Sequence, residues 1–196
     1  RGLPAAVTLA CYDTAVGDRL CEALRTPKFR AYKSDDLIGA EIGGSVKNVL
    51  AIACGIVEGR GLGNNARAAL ITRGLMEMAR LCVAKGGRPE TLMGLSGIGD
   101  LMLTCNAMQS RNFSLGVELG QGQGLSGILN ERKSVAEGVD TASAISSLAN
   151  RIGLDMPICR AVNAVVNGNT SIDEAISGLL ARPVGSDSPL DVKSHF

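Results

Sequence analysis

The sequence has few of the side chains that most catalytic and nucleic-acid-binding sites use. Its single histidine, His195, excludes a Ser-His-Asp or Cys-His catalytic arrangement and disfavours a zinc site, so we expect no metal. Two tyrosines, three phenylalanines and no tryptophan make a poor stacking surface for single-stranded nucleic acid. A formal net charge of +1 gives no general attraction for nucleic acid or an anionic membrane. Acid–base chemistry must therefore use Lys, Asp, Glu, Tyr or Cys.

Cysteine spacing and hydropathy indicate the cellular compartment of the protein. The six cysteines form no CxxC pair and lie in apolar runs, which favours reduced, buried thiols in the cytosol. No signal-peptide pattern begins at Arg1. The apolar run 42–57 could suggest a membrane span, but it is too short, and Ser45, Lys47, Asn48 and glycines interrupt it. We therefore expect a cytoplasmic protein without a membrane span or a nucleic-acid partner.

Residues 1–35 have the pattern of a βαβ unit. Residues 5–11 and 28–33 predict short strands, and Asp13 is a candidate N-cap for a helix between them that ends near Leu24. Strand, helix and strand in this order are typical of a parallel α/β sheet. One such unit cannot form a stable sheet, so we expect the chain to be the C-terminal portion of a longer protein.

Strand signals vanish after Asp36, and about eight helices are predicted from there to residue 183. Pro157 is predicted to open one of them, and Ser171 with Glu174 has the pattern of a capping box at the start of the last. The predicted fold class is therefore mainly α. Lys133–Val139 is predicted as a loop or short extended segment, with the next helix beginning at Asp140 or Thr141. Residues 184–196 are polar and are expected to form a disordered tail.

The longest helical pattern, residues 39–58, carries one lysine in an otherwise apolar stretch. Five residues at helical spacing from Lys47 are small: Ala40, Gly43, Gly44, Ala51 and Cys54. That stripe admits another backbone, or a ligand, close to the lysine. A buried lysine must be paired or give up its proton, and it can then serve as a general acid or base. Equally open is that its stem covers apolar neighbours while its ammonium reaches solvent.

Two later stretches supply candidate charged partners. Glycines permit a close approach next to Asp100, which we predict to be the N-cap of a short apolar helix. Ser110, Arg111 and Asn112 begin another helix, where backbone N–H groups, a guanidinium fork and an amide form a candidate anion pocket. The alternative is a solvated arginine in a first turn, where the helix macrodipole disfavours a cation.

Four stretches taken together resemble bacterial NAD(P)-dependent glycerol-3-phosphate dehydrogenase. They are GAEIGGSVKNVLAIACGIVEGRGLGNNARAALITRGLMEM, GLSGIGDLMLTC, SRN and VAEGV, and the likeness runs from Gly2 to about Pro183. In that family a Rossmann domain precedes a helical substrate domain of the type found at the C-terminus of 6-phosphogluconate dehydrogenase. The GxGxxG turn of the Rossmann half is absent here, and so is a second lysine that the family uses to hold substrate.

The resemblance implies a role for each motif residue. Lys47 would exchange the proton at the C2 oxygen of glycerol 3-phosphate or dihydroxyacetone phosphate, and Asp100 would pair with Lys47. The implied substrate contacts come from Lys47, Asn48, Asp100, Thr104, Ser110, Arg111 and Asn112. The implied contacts to NAD or NADP come from Arg111, Val135 and Glu137. The reaction would serve glycerophospholipid synthesis, and the missing Rossmann domain would be a partner of this chain.

Two other functions remain open from the residues. Dehydrogenases of the 3-hydroxyacid and 6-phosphogluconate types also carry a lysine and an asparagine on a long helix after a Rossmann domain, although the SRN triplet argues against substrates without phosphate. A non-catalytic helical oligomerisation module is the second alternative. A homodimer and the preference between NAD and NADP are also left open, because the residues that read the ribose 2′ position belong to the missing half.

Overall fold

The structure, a computed structural model, describes residues 2–131 and 136–183. Within these residues a small parallel sheet precedes a set of packed helices, so the mainly α fold class is confirmed. The elements in chain order are β1 (Ala5–Ala10), α1 (Thr14–Leu24), β2 (Phe29–Ser34), α2 (Leu37–Gly59), α3 (Gly63–Ala84), a 3₁₀ helix (Pro89–Met93), a π-helical turn (Leu95–Gly99), α4 (Asp100–Thr104), α5 (Arg111–Gly120), α6 (Leu125–Glu131), α7 (Glu137–Arg151), α8 (Pro157–Val166) and α9 (Ile172–Leu180). The predicted tail at 184–196 lies outside the described residues.

The N-terminal βαβ unit matches its sequence pattern. β1 and β2 pair in parallel from Ala5 opposite Phe29 to Ala10 opposite Ser34, and α1 crosses between them. The carboxylate of Asp13 accepts from the Val16 N–H at 3.0 Å and caps α1. Large apolar side chains of this unit are exposed, namely Leu3, Val7, Tyr12, Leu20, Leu24 and Tyr32. Two strands with this much exposed apolar surface do not form a sheet that is stable by itself.

α2 is the central helix of the core. Asp36 caps its N-terminus, and Glu41 and Glu58 are its only exposed residues. Helices α3, α4, α5, α7 and α8 pack around it. By length and composition alone α2 could cross a membrane, and 67% of its apolar window is buried inside the fold. A helix surrounded by other helices needs apolar residues on nearly every face, which accounts for the run.

The backbones of α2 and α5 are in direct contact. Gly55 and Gly59 of α2 face Gly116 and Gly120 of α5, one turn apart on each helix. A β-carbon added at any of the four would lie under 3.0 Å from a carbonyl oxygen of the facing helix. Because real β-carbons do not approach so closely, only glycine permits this separation of the two axes.

α7 begins earlier than the sequence pattern indicates. The prediction that residues 137–139 are a loop, with a helix from Asp140 or Thr141, is wrong, because α7 begins at Glu137. Its N-cap residue, Ala136, has no side chain that could cap it. The acceptor comes instead from α5, where Asn112 Oδ1 accepts from the Gly138 N–H at 2.9 Å. A cap supplied from a distant helix leaves no local signal.

α8 is also capped by a side chain from another helix. Glu77 of α3 is only 1% exposed, and its carboxylate accepts from the N–H groups of Ile158 at 2.6 Å and Cys159 at 3.1 Å. Pro157, which opens α8 as predicted, has no N–H to satisfy. Burial raises the pKa of the Glu77 carboxyl, and the two N–H donors oppose that rise.

Substituting Gly116 with alanine should destabilise the fold. The added methyl group overlaps the α2 backbone, so we expect the free energy of unfolding to fall by about 1–3 kcal/mol. Gly178 on α9 is the matched control, since nothing lies within 4 Å of an added β-carbon. There alanine should raise the free energy of unfolding by up to ~1 kcal/mol through helix propensity. Urea denaturation followed by circular dichroism measures both, and a Gly116→Ala variant as stable as the wild type would contradict the close packing.

Candidate active site

Lys47 and Asp100 form an ion pair although they lie 53 positions apart. Lys47 is in the middle of α2, and Asp100 is the first residue of α4. Their side chains are 21% and 31% exposed, so the pair is partly shielded yet open to a small molecule. The predicted approach of these two side chains is confirmed, and their chemical role remains a prediction.

The prediction that Asp100 is an N-cap is wrong. Gly99, which precedes it, has helical backbone angles, because the π-helical turn runs directly into α4. The Asp100 carboxylate is therefore not needed at a helix start and points to Lys47. The hydroxyl of Thr104 donates to the Asp100 carbonyl at 2.7 Å and lies 3.3 Å from its carboxylate, which steadies the aspartate. Single π-helical turns are rare and often occur at functional sites.

Two adjacent glycines on α2 have different surroundings beside Lys47. A β-carbon at Gly43 would lie under 3.0 Å from the carbonyl oxygen of Ser96, so the π-helical turn rests directly on α2 there. A β-carbon at Gly44 would have nothing within 4 Å. The small-residue stripe therefore admits a backbone at one position and leaves space at the next.

The N-terminus of α5 carries the candidate anion site. The Ser110 hydroxyl accepts from the Phe113 N–H at 3.3 Å, which leaves the hydroxyl proton free to be donated. Arg111 donates from Nη2 to Glu137 of α7 at 2.5 Å, and these two side chains are 51% and 56% exposed. A guanidinium in the first turn of a helix, open to solvent, is suited to an anionic ligand.

α2, α5 and α7 meet beside these groups. Asn112 is 3% exposed, and its Oδ1 accepts from the Gly138 N–H. A β-carbon at Gly138 would lie 2.7 Å from that oxygen and 2.7 Å from the Asn48 carbonyl oxygen. Gly138 therefore packs against both Asn48 and Asn112, and we call these three residues the three-helix junction. Each of these three directly follows a charged residue in the sequence, namely Lys47, Arg111 and Glu137.

The structure thus places most of the predicted site residues in one region, built on α2, α4 and the N-termini of α5 and α7. Val135 lies outside the described residues. The amide oxygen of Asn112 holds α7, a role that the sequence did not reveal. Gly138 was also missed, and its only signal was a glycine directly after Glu137. Within the described residues, no group of three or more His, Cys, Asp or Glu side chains could hold a metal ion.

Residues 36–177 match the family described as NAD-dependent glycerol-3-phosphate dehydrogenase C-terminus. The chain belongs to the glycerol-3-phosphate dehydrogenase family. The matched residues include the helices that carry Lys47, Asp100, Arg111 and Glu137. The family resemblance drawn from the four sequence stretches is therefore confirmed.

Relatives and a solved structure agree with this assignment. The chain is 59% identical over 184 residues to glycerol-3-phosphate dehydrogenase (NAD(P)+) of Caulobacter vibrioides, which is 94% of this chain and 56% of that relative. It is 60% identical over 193 residues to the enzyme of the same name from Rhodospirillum rubrum, covering 96% and 55%. The crystal structure of glycerol-3-phosphate dehydrogenase from Coxiella burnetii superposes with a TM-score of 0.89 at 44% identity, covering 92% of this chain and 56% of that one. The chain therefore spans just over half the length of these family members.

Substituting Gly43 with alanine should separate Lys47 from Asp100. The new methyl group would push the π-helical turn, and Asp100 with it, away from α2. Gly44→Ala is the matched control, since its methyl group meets nothing within 4 Å. We expect a crystal structure of the Gly43→Ala variant to show the ammonium and carboxylate beyond 4.0 Å, the ion-pair limit, and the control to keep them paired. An intact pair in Gly43→Ala would show that the glycine contact does not set the geometry.

Proposed function

We propose that this chain is the substrate-binding and catalytic half of an enzyme that interconverts sn-glycerol 3-phosphate and dihydroxyacetone phosphate with NAD or NADP, for glycerophospholipid synthesis. The observation that carries the proposal is the partly buried Lys47–Asp100 pair, which adjoins the three-helix junction that also bears Arg111 and Glu137. The family membership supports the reaction class. All six cysteines are free thiols, which supports a cytoplasmic location, and a homodimer stays a prediction.

Lys47 has the chemistry that the reduction of a ketone requires. When hydride reaches C2 of dihydroxyacetone phosphate, negative charge develops on the C2 oxygen, and that oxygen must gain a proton. An ammonium group supplies both the compensating charge and the proton. In the reverse direction the neutral amine accepts the proton from the hydroxyl group of glycerol 3-phosphate.

Asp100 orients Lys47 and balances its charge. Its carboxylate contacts the ammonium directly, which fixes the direction of the lysine side chain across the small-residue stripe. An ammonium has three donors, so a bond to Asp100 leaves others for the substrate. The partial shielding of the pair strengthens its field at a substrate oxygen compared with a fully solvated pair.

The phosphate fits the N-terminus of α5. The Arg111 guanidinium, the Ser110 hydroxyl and the first-turn backbone N–H groups that Ser110 does not cap can all donate hydrogen bonds to a phosphate there. Glu137 already contacts Arg111, so a phosphate would share the guanidinium with that carboxylate or replace it. The buried Asn112 contributes chiefly by holding α7 in place.

The cofactor would supply the hydride when bound. Arg111 and Glu137, both about half exposed at the edge of the three-helix junction, are suited to contact its nicotinamide end, and Val135 is the third predicted contact. The remaining cofactor contacts would come from outside this chain, which spans just over half the length of its relatives.

Lys47→Ala and Arg111→Ala should change different kinetic constants of the full-length enzyme. Losing Lys47 removes transition-state stabilisation, so kcat and kcat/KM should fall together by roughly two to four orders of magnitude. Losing Arg111 removes hydrogen bonds to the phosphate, which is remote from the reacting carbon, so KM for substrate should rise, with some loss of kcat. Arg111→Lys should recover only part of the loss, because an ammonium cannot form the paired hydrogen bonds that a guanidinium makes to a phosphate.

Steady-state kinetics of the three variants, with circular dichroism to confirm folding, provides the test. If Lys47→Ala raised KM alone and left kcat at the wild-type value, Lys47 would be a binding residue. The proton would then have to come from another group.

The 196-residue chain alone should not reduce dihydroxyacetone phosphate. We expect much of the cofactor site to lie in the portion that this chain does not cover, so the chain alone should not bind the hydride donor in place. The measurement is oxidation of NADH or NADPH by the purified chain, with the full-length enzyme as the positive control. Substrate-dependent oxidation by the chain alone would show that this half holds the cofactor unaided.

A further inference from the structure

The carboxylate of Asp36 joins two segments of the chain. Asp36 is 6% exposed and lies directly before α2. Its Oδ1 accepts from the Gly39 N–H at 2.9 Å, which caps α2. Its Oδ2 accepts from the Arg88 N–H at 2.9 Å and from the Thr91 hydroxyl at 2.7 Å, which anchors the 3₁₀ helix.

Each anchored segment leads without an intervening loop to one member of the ion pair. α2 is continuous from its capped end to Lys47, so the anchor sets the axial position and rotation of the lysine about 16 Å away, at 1.5 Å per residue. On the other side, the 3₁₀ helix, the π-helical turn and α4 follow one another up to Asp100, with only Gly94 between the first two.

The second segment is stiff between its anchor and Asp100. A β-carbon at Gly97, in the π-helical turn, would lie under 3.0 Å from the Leu92 backbone of the 3₁₀ helix. These two turns therefore pack backbone to backbone, and a shift at Thr91 is transmitted to Asp100. A β-carbon at Gly39 would overlap both the Asp36 carboxylate and Thr91. These groups are therefore tightly packed around the Asp36 carboxylate.

The Asp36 carboxylate is matched to its three donors. Burial raises the pKa of Asp36, but the hydrogen bonds from Gly39, Thr91 and Arg88 outweigh that effect and lower it overall. The adjacent Asp35 is different, because its side chain is 69% exposed and pairs with the Arg88 side chain at the surface. Of these two neighbouring aspartates, Asp36 is therefore a buried anchor and Asp35 forms a surface ion pair.

We propose that Asp36 is a positioning residue for the reaction proposed above: it ties the helix that carries Lys47 to the segment that carries Asp100, and so keeps the two catalytic groups in register. It touches neither substrate nor cofactor, and it acts on the chemistry only through the ion pair. The inference rests on the proposed roles of Lys47 and Asp100.

The test is a double-mutant cycle in the full-length enzyme with Asp36→Asn, Asp100→Asn and the combined variant. Asparagine has one acceptor oxygen where aspartate has two. In either orientation of the amide, its NH2 group faces the backbone N–H of Gly39 or that of Arg88, so the bond to one of the two segments is lost. We expect kcat for dihydroxyacetone phosphate reduction to fall about ten- to a hundredfold at a temperature where the variant is fully folded. In the Asp100→Asn background the same substitution should change kcat by less than about twofold, because the residue through which it acts is gone.

Asp35→Asn is the matched control and should leave kcat within about twofold of wild type, since a surface ion pair contributes little. Equal losses from Asp36→Asn in both backgrounds, or a lowered melting temperature with unchanged kcat, would show that Asp36 only stabilises the fold. If Asp36→Asn does not fold, Thr91→Val removes one of the three bonds and carries the same cycle, with a smaller loss expected only when Asp100 is present. An Asp100→Asn variant with wild-type kcat would instead overturn the catalytic role proposed above for the Lys47–Asp100 pair.

Discussion

The backbone contact between α2 and α5 is the constraint on which the rest of the structure depends. Four glycines allow the two helices to approach until carbonyl oxygens of one touch the Cα atoms of the other. α2 carries Lys47, and the N-terminus of α5 carries the proposed anion-binding groups. The distance between the proposed proton donor and the proposed phosphate site is therefore set by packed backbones, which move far less than side chains do.

Three helix ends in the fold are held by side chains or segments from elsewhere. Glu77 caps α8 from α3, Asn112 caps α7 from α5, and Asp36 caps its own helix while anchoring the 3₁₀ helix. Each cap is buried, so each satisfies backbone donors that would otherwise cost free energy. The same bonds fix the relative positions of the elements around the site, which joins stability to site geometry.

Local signals explain what the sequence predicted well. Asp13 before α1, Pro157 at the start of α8 and the capping box of Ser171 with Glu174 act within a few residues, and all three mark real helix starts. The length and the apolar pattern of α2 likewise depend only on nearby residues. The small-residue stripe around Lys47 correctly indicated that another backbone comes close there.

Interactions between distant segments explain what the sequence could not show. Asp100 looks like an N-cap, but the π-helical turn before it removes the need for one, and its partner lies 53 positions away. The start of α7 was misplaced because its cap belongs to α5. The roles of Val135 and Glu137 came from family resemblance alone, and of these two the structure describes only Glu137, in contact with Arg111.

The most direct test of the roles proposed for Lys47 and the N-terminus of α5 is a crystal structure of the full-length protein with dihydroxyacetone phosphate and NAD+, a combination that cannot react. We expect the C2 oxygen to lie about 2.6–3.2 Å from Lys47 Nζ, while Asp100 keeps its contact with the same ammonium. The phosphate should lie at the N-terminus of α5, bound by Ser110 and Arg111. A phosphate bound elsewhere, or a C2 oxygen out of hydrogen-bonding reach of Lys47, would contradict these roles.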